Sequence, residues 1–479
     1  MTNEFTTSEK IAHFICGLAP GDIPADVLHR ARLHILDTLG AGIAGSASLE
    51  VRLGREGLGA AYGTPPPEGG VFLWGTSSKM PALGAAFVNG LACHAFELDD
   101  SGGCDHSGAV VLPAALAAVA LRTDGGDGGA ADVDTAVTTA TLLRAVVSGY
   151  EVARRVQSAL GGYDSVNNAG WHSTGVCGTF GAAVASGVIL GLTARQMVSA
   201  IGLAGSFTGG TWSFIGDGAM SKRLHVGRAA EAGLNSALLA KAGFTGPRDL
   251  FSAPWGSFLK LYGQARDINE SELYHSLGCE WQISQASIKP YATCRSTHSA
   301  IDAILDLRSR HGITAESVRS VTVSTSALIA DMCGKADTRS LVSTQLSMQF
   351  ALAAALLHGE VGLEQITEQG RSNPRLTDLM GRIRLQIDPS QNGGSAEPRL
   401  SVETNTNTWV VQAVRAKGAS TNRLSDDETL SKFTRLAATR LSQGAAESIV
   451  SLVMNSDDMD NASRLLPLLA TDSEPALLE

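Results

Sequence analysis

From Gly175 to Gly216 the chain carries a single charge, Arg195, and no other feature restricts its fold so strongly. An uncharged run of that length must be hidden from water, either in lipid or inside protein. Lipid would demand spans of about 20 predominantly apolar residues each. Here Gly, Ser and Thr dilute both halves, and only Arg195 and Gln196 separate them. The expectation is a pair of helices buried in the middle of a large soluble domain, with no membrane as partner. Thr193 and Gln196 stand at capping-box spacing and mark the start of the second helix.

Enclosing such a run takes a large apolar core, and the composition supplies one. Of 479 residues, 44% are hydrophobic and 18% charged, the latter below the roughly 25% of an average globular chain. That excludes a disordered, solvating protein. The formal charge is −10, and no basic block interrupts it, which excludes nucleic acid as a partner. An anionic substrate would need a pocket that gathers positive charge against this field. The cysteines at 16, 93, 104, 177, 279, 294 and 333 are scattered and form no C-x-x-C pair, as expected of reduced thiols. The N-terminal MTNEFTTSEKIAHFICGL carries acids and no long apolar stretch, so it does not read as a secretory signal. A cytoplasmic location is expected.

Periodicity makes the first half helical. Leu28, Ala31, Ile35, Leu39 and Ile43 recur at steps of three or four. Further helices are expected near 80–96, 113–122, 134–160, 178–191, 194–205 and 226–242. A short strand from Val71 to Trp74 should follow the turn Pro65-Pro66-Pro67, and the Gly-rich run beginning at Asp124 reads as a loop. After about residue 265 the texture changes. Ile283–Tyr291, Val318–Thr325, Ile383–Ile387 and Leu400–Thr404 read as strands, and Thr297–Arg310 and Ser343–Leu357 as helices. This predicts a smaller α+β domain, with helix returning over 426–453.

No phosphate loop, dinucleotide fingerprint, nucleophile elbow or H-E-x-x-H occurs. Four polar clusters remain, each set in apolar surroundings. The first runs from His94 through Glu97, Asp99, Asp100 and Ser101 to Cys104, Asp105 and His106, where acids could fix a histidine's tautomer. Asp105 reads as a solvated acid. Cys93, His94, Cys104 and His106 are ligand types, but their spacing fits no standard zinc pattern, so no metal site is expected. The second cluster is Gly170-Trp-His172-Ser-Thr-Gly175, at a helix start that suits an anion. The third is Lys222-Arg223-Leu-His225, and the fourth holds Lys289, Arg295 and His298. Together these groups could cradle a di- or tricarboxylate and move protons.

The segments NGLACHAFELDDS, DHSGAVVLPA, NNAGWHSTGVCGTFGAA, MSKRLHVGRAAEAG and KPYATCRSTHSAIDA resemble the MmgE/PrpD family, in order and over roughly residues 8 to 450. The resemblance implies a mainly-α fold: a large all-α helical domain plus a smaller α+β lid domain. The helical domain would comprise 1–265 and 415–460, the lid 266–414, and 461–479 a loosely held tail. It also implies a homodimer, and a site between the domains that uses no cofactor. An excess of uncharged surface over 175–216 would suit that dimer.

Catalytic positions carried over are Glu97, His106, His172, Lys222 and His298. Ser101, Asp100, Arg223, His225, Lys289 and Arg295 are then expected to bind substrate. Family activities include 2-methylcitrate dehydration, cis-aconitate decarboxylation and iminodisuccinate epimerisation, all through carbanion or enolate character beside a carboxylate. Lys222 would stabilise that charge, with His172 or His298 moving the proton. The expected function is a cofactor-independent lyase, an itaconate-forming aconitate-type decarboxylase or a dehydratase, with an epimerase of a related dicarboxylate as the alternative. One position departs from the family pattern: Phe350 stands where members often carry Tyr, which would remove a phenol from the site.

Overall fold

A computed structural model describes residues 5–63, 69–102, 104–124, 136–264, 267–457 and 459–478. The Pro65–Pro67 turn and the Gly-rich run after Asp124 lie outside these residues.

The first half of the uncharged run forms the helix Ser173–Ile189, and every residue of it is buried. The helices Ser107–Asp124, Thr139–Ala159 and Ser221–Lys241 surround it. Such enclosure needs close backbones, which explains the glycines. A Cβ on Gly181 would lie 2.6 Å from the Gly149 carbonyl oxygen, and one on Gly233 only 2.3 Å from the Ala182 Cβ. The following helix, Ala194–Ala204, begins with the expected capping box of Thr193 and Gln196. Among the described residues, no helix is long and apolar enough to cross a membrane. The chain's own helices cover Ser173–Ile189, whereas residues 205–213 of the run remain partly exposed.

The remaining helical expectations are met with shifted ends, by Ala25–Gly45, Ala82–His94 and those just named. Two later expectations fail. Ile283–Tyr291 is not a strand: a 3₁₀ turn, Gln282–Gln285, leads into extended chain whose residues contact different neighbours. The apolar segment 343–357 is two helices, Leu341–Gln345 and Met348–His358, interrupted where Ser347 caps the second by accepting from the Phe350 N–H.

One four-stranded sheet orders Ile383–Ile387, Val318–Thr325, Arg399–Thr404 and Thr408–Gln412. The first pair is parallel, with Val321 opposite Ile383, and the others are antiparallel. A core between the sheet and helices His298–His311 and Met348–His358 extends onto Ala41, Ala44, Ala95, Phe96 and Leu98 of the helical part. The sheet-bearing unit therefore packs directly over the turn that follows Ala82–His94. From the C-terminal side, helix Asp426–Ala437 packs on Ala25–Gly45, with Lys432 reaching Asp37 and donating to the Leu98 carbonyl at 2.5 Å.

The tail is not loose. Gly75 N–H donates to the Leu469 carbonyl at 2.7 Å, and Leu478 N–H to the Ala47 carbonyl at 2.9 Å. Glu474 accepts from Ser77 and Ser78 at 3.0 and 2.7 Å.

Candidate active site

Helix Ala82–His94 ends in a turn where Glu97 adopts φ of 55°, and Asp105 further on adopts 65°. Side chains other than glycine rarely occupy this left-handed region without compensation. For Glu97 the compensation is ionic. Its carboxylate accepts from Lys222, from Arg223 at 3.2 Å and from Lys289 at 2.7 Å, all four side chains being buried. Lys222 and Arg223 come from the first turn of Ser221–Lys241, and Lys289 from the chain entering the sheet unit. Burial alone would raise the Glu97 carboxyl, but the cations around it, Lys222, Lys289 and Arg223, hold it well below the usual range.

Two residues on, Asp99 binds two imidazoles. Its oxygens lie 2.9 Å from His106 Nδ1 and 3.1 Å from His94 Nδ1. Burial again opposes the charge, and His106, His94 and Lys289 outweigh it, so Asp99 is ionised. His106 Nδ1 also faces the Asp100 carbonyl at 3.1 Å. Both partners are acceptors, so Nδ1 carries the proton and Nε2 is the free ring position. Burial and the neighbouring His106 push His94 well below its ordinary value, leaving it neutral.

These groups border a cleft of about 130 Å³ between the helical and sheet-bearing parts. Of the residues expected from sequence, Glu97, Ser101, His106, Lys222, Lys289 and Arg295 line it. Five others take different positions. Asp100, expected to bind substrate, is fully buried and accepts from Tyr150 O–H at 2.5 Å and Gly108 N–H at 3.0 Å. Arg223, expected likewise, is spent on Glu97, the Ala95 carbonyl and Gln345.

His225 faces His172 instead of substrate, their Nδ1 atoms 3.0 Å apart. Burial lowers both, His225 to about 4, so both are neutral near pH 7. Such a contact holds one proton, so a donating His225 Nδ1 leaves His172 protonated at Nε2, and the reverse leaves it bare. His172 Nε2 is buried without a partner, and a nitrogen of this ring lies within 4.8 Å of ligand-type atoms of Asp105 and His106. His298 sits behind Lys289 and Arg295, its Nε2 3.1 Å from the Thr293 carbonyl.

Sequence reasoning missed several cleft residues. Asp105 is not a freely solvated acid: it lines the cleft, accepts from Ser173 at 2.9 Å, and burial raises its carboxyl. Tyr163 and Trp212 also line the cleft, from segments with no polar pattern to flag them. Cys294 lines it too, its thiol brought down to about 6 by a hydrogen bond from Cys333 and by Lys222, against burial. Phe350 is fully buried in the core beneath the sheet, so the cleft does not border the expected site of a missing phenol; Tyr163 brings one.

His94, Asp99 and His106 bring ligand-type atoms within 4.8 Å of one another, which the sequence spacing did not suggest. A dication there would have to break both imidazole–carboxylate contacts with the Lys289 ammonium 3.9 Å from Asp99. The set is better suited to holding a proton than a metal.

Residues 9–271 match the MmgE/PrpD N-terminal domain and residues 291–458 the MmgE/PrpD C-terminal domain. The cis-aconitate decarboxylase-like protein oryM of Aspergillus oryzae is 30% identical, over 98% of each chain. A cis-aconitate decarboxylase of Aspergillus terreus is 30% identical over 97% of this chain and 95% of its own. The human cis-aconitate decarboxylase is 26% identical over 98% and 95%.

Proposed function

Because the chain belongs to the MmgE/PrpD family, we propose that this lyase decarboxylates an unsaturated tricarboxylate of the cis-aconitate kind. The observation that carries the reading is the pairing, on one cleft, of fixed cations with a carboxylate-held imidazole: Lys222, Lys289 and Arg295 beside His106 on Asp99. The relatives named above point to the same reaction.

In that reaction the bond between the departing carboxyl and its methylene carbon breaks and leaves as CO₂. Its electron pair passes into the adjacent double bond and settles at the far carbon, beside a retained carboxylate. Lys222 and Lys289 stabilise the charge as it develops there, where a fixed donor is worth ~10²–10³ in rate. His106, protonated at both nitrogens, delivers the Nε2 proton to that carbon and returns to the neutral ring. Asp99 keeps the Nδ1 proton in place and the ring oriented throughout. Nothing in these steps calls for a metal or an organic cofactor.

The test is purified protein with cis-aconitate in D₂O and a chelator, followed by NMR. A methylene-bearing dicarboxylate with one deuterium at the protonated carbon, and CO₂ in equal amount, is expected. Deuterium uptake without net conversion would favour the epimerase alternative, and hydration or dehydration without CO₂ a dehydratase.

A further inference from the structure

Beyond the cleft lies a second chamber of about 160 Å³. Ser101, Gly102, Arg295, Ser296, Gly394 and Ser395 line both spaces, so the two adjoin along these residues. The outer walls add Ser287, Ser299, Ser420 and the pair Arg415–Glu397.

This chamber is rich in donors that nothing in the protein uses. Ser101 Oγ is buried without a hydrogen-bond partner. Ser287 and Ser299 are 8% and 4% exposed, and among the described residues their hydroxyls make no hydrogen bond. The Arg295 guanidinium, largely desolvated, likewise has no carboxylate at ion-pairing distance among those residues. Arg415 is held only loosely, 3.7 Å from Glu397. Native proteins rarely leave a buried donor such as Ser101 Oγ unmet, and with the accessible Ser287 and Ser299 hydroxyls and two weakly held guanidinium groups beside it the chamber suits an anionic ligand. The inner cations differ: Lys222 and Lys289 are both already on Glu97. An incoming acid meets its first uncommitted cation at Arg295, on the boundary between the chambers.

The inner cleft offers about 130 Å³ to an occupant, and the outer chamber adds about 160 Å³ beside it. We infer that the outer chamber is a second oxyanion subsite, and that the preferred substrate is an unsaturated polycarboxylic acid extended, beyond the reacting carbons, by a further carboxylate. Arg295 and Arg415 hold that group, with the serine hydroxyls donating to its oxygens. The planar guanidinium fork matches a carboxylate, and Glu397 beside it disfavours a more highly charged phosphate. The inference rests on the decarboxylase reading for its chemistry but on the outer residues for its selectivity.

The experiment compares cis-aconitate with cis-aconitate extended through an amide to glycine at a carboxyl the reaction retains. Both are given to the wild-type protein and to Arg415→Gln, a half-exposed position whose replacement leaves the core intact. The wild type should favour the extended acid in kcat/KM, and Arg415→Gln should reduce that preference by about tenfold or more. An equal effect of the variant on both acids, or a preference for cis-aconitate, overturns the proposal. Calorimetric binding of both acids separates the two readings. If neither acid loses CO₂ yet the extended one binds tighter and Arg415→Gln abolishes the difference, the subsite stands and the decarboxylase reading fails. Inorganic phosphate bound there, with the extended acid no tighter than cis-aconitate, makes the chamber a free-anion site and overturns it.

Discussion

Lys222 and Glu97 touch each other, yet their removal should have opposite consequences. Glu97 is the only carboxylate within 3.2 Å of Arg223, 2.7 Å of Lys289 and in contact with Lys222, among the described residues. Glu97→Gln keeps the shape but strands Lys222 and Arg223 without a carboxylate and leaves Lys289 only Asp99, 3.9 Å away. Removing one partner of a buried pair costs ~3–5 kcal/mol, because the charge left behind is desolvated and unmatched. Lys222→Ala leaves Glu97 with Arg223 and Lys289, so its charge stays compensated. The loss is then mostly alkyl packing, about 1 kcal/mol. Turnover should behave differently, since the proposed reaction develops negative charge beside Lys222, and its loss should then lower kcat by ~10²–10³. The assay is CO₂ release from cis-aconitate beside urea unfolding of wild type, Lys222→Ala and Glu97→Gln. Expected is a stable, nearly inactive Lys222→Ala and a markedly destabilised Glu97→Gln. Equal destabilisation of the two variants, or Lys222→Ala activity within a few-fold of wild type, would refute the assignment.

Three further outcomes follow from particular contacts. His225→Phe should lower kcat with little change in KM, because His225 sets the tautomer of His172, a ring within 4.8 Å of His106, the proton donor of the proposed reaction; a raised KM with unchanged kcat would return His225 to substrate binding. Phe350→Tyr should leave the products unchanged and cost ~1–3 kcal/mol by burying an unmet hydroxyl in a closed core, read by NMR and thermal melting; a new product would put position 350 back in the site. Stability should also fall in acid. Glu97 and Asp99 are held below their ordinary values of 4.5 and 3.8, so the stability they supply is complete above those values. It is lost as pH drops through the folded-state values. A urea midpoint that stays flat between pH 6 and 3 would contradict this.

The helical half was legible because its periodicity and caps are local. Thr193–Gln196 is a capping box in sequence and in structure, and the uncharged run could only be interior. Chain 283–291 misled because alternation does not distinguish a strand from an extended wall. Ile283 packs into the helical core, Ser287 exchanges two backbone hydrogen bonds with Ser101, and Lys289 reaches Glu97. Each inward residue therefore has a separate partner, and no neighbouring strand is involved. The acids of the first cluster posed the harder problem. In sequence Glu97, Asp99 and Asp100 look alike. The turn with Glu97 at φ of 55° sends them to three destinations: cations, imidazoles, and Tyr150 with the Gly108 N–H. Side-chain direction in a left-handed turn is a tertiary property, and no spacing rule could have sorted them.

That sorting bears on how the cleft can act on a polyanion. Fixed cations that bound every substrate carboxylate equally well before and after bond breaking would deepen the bound state without lowering the barrier. Glu97 prevents this by holding Lys222 and Lys289 against its own two oxygens in the free protein. Ground-state carboxylates must compete with it for those ammonium groups and find Arg295 uncommitted instead. Carbanion charge is different: it appears at a carbon that carried none, and in the proposed reaction the ammonium groups can turn to it only at that stage. Asp105, its carboxyl raised by burial, adds to the asymmetry. An arriving anion raises it further, so its negative charge can be discharged by a proton as substrate enters. The strained carboxylate tied to three cations is therefore intelligible as a means of keeping positive charge in reserve for the bond-breaking step.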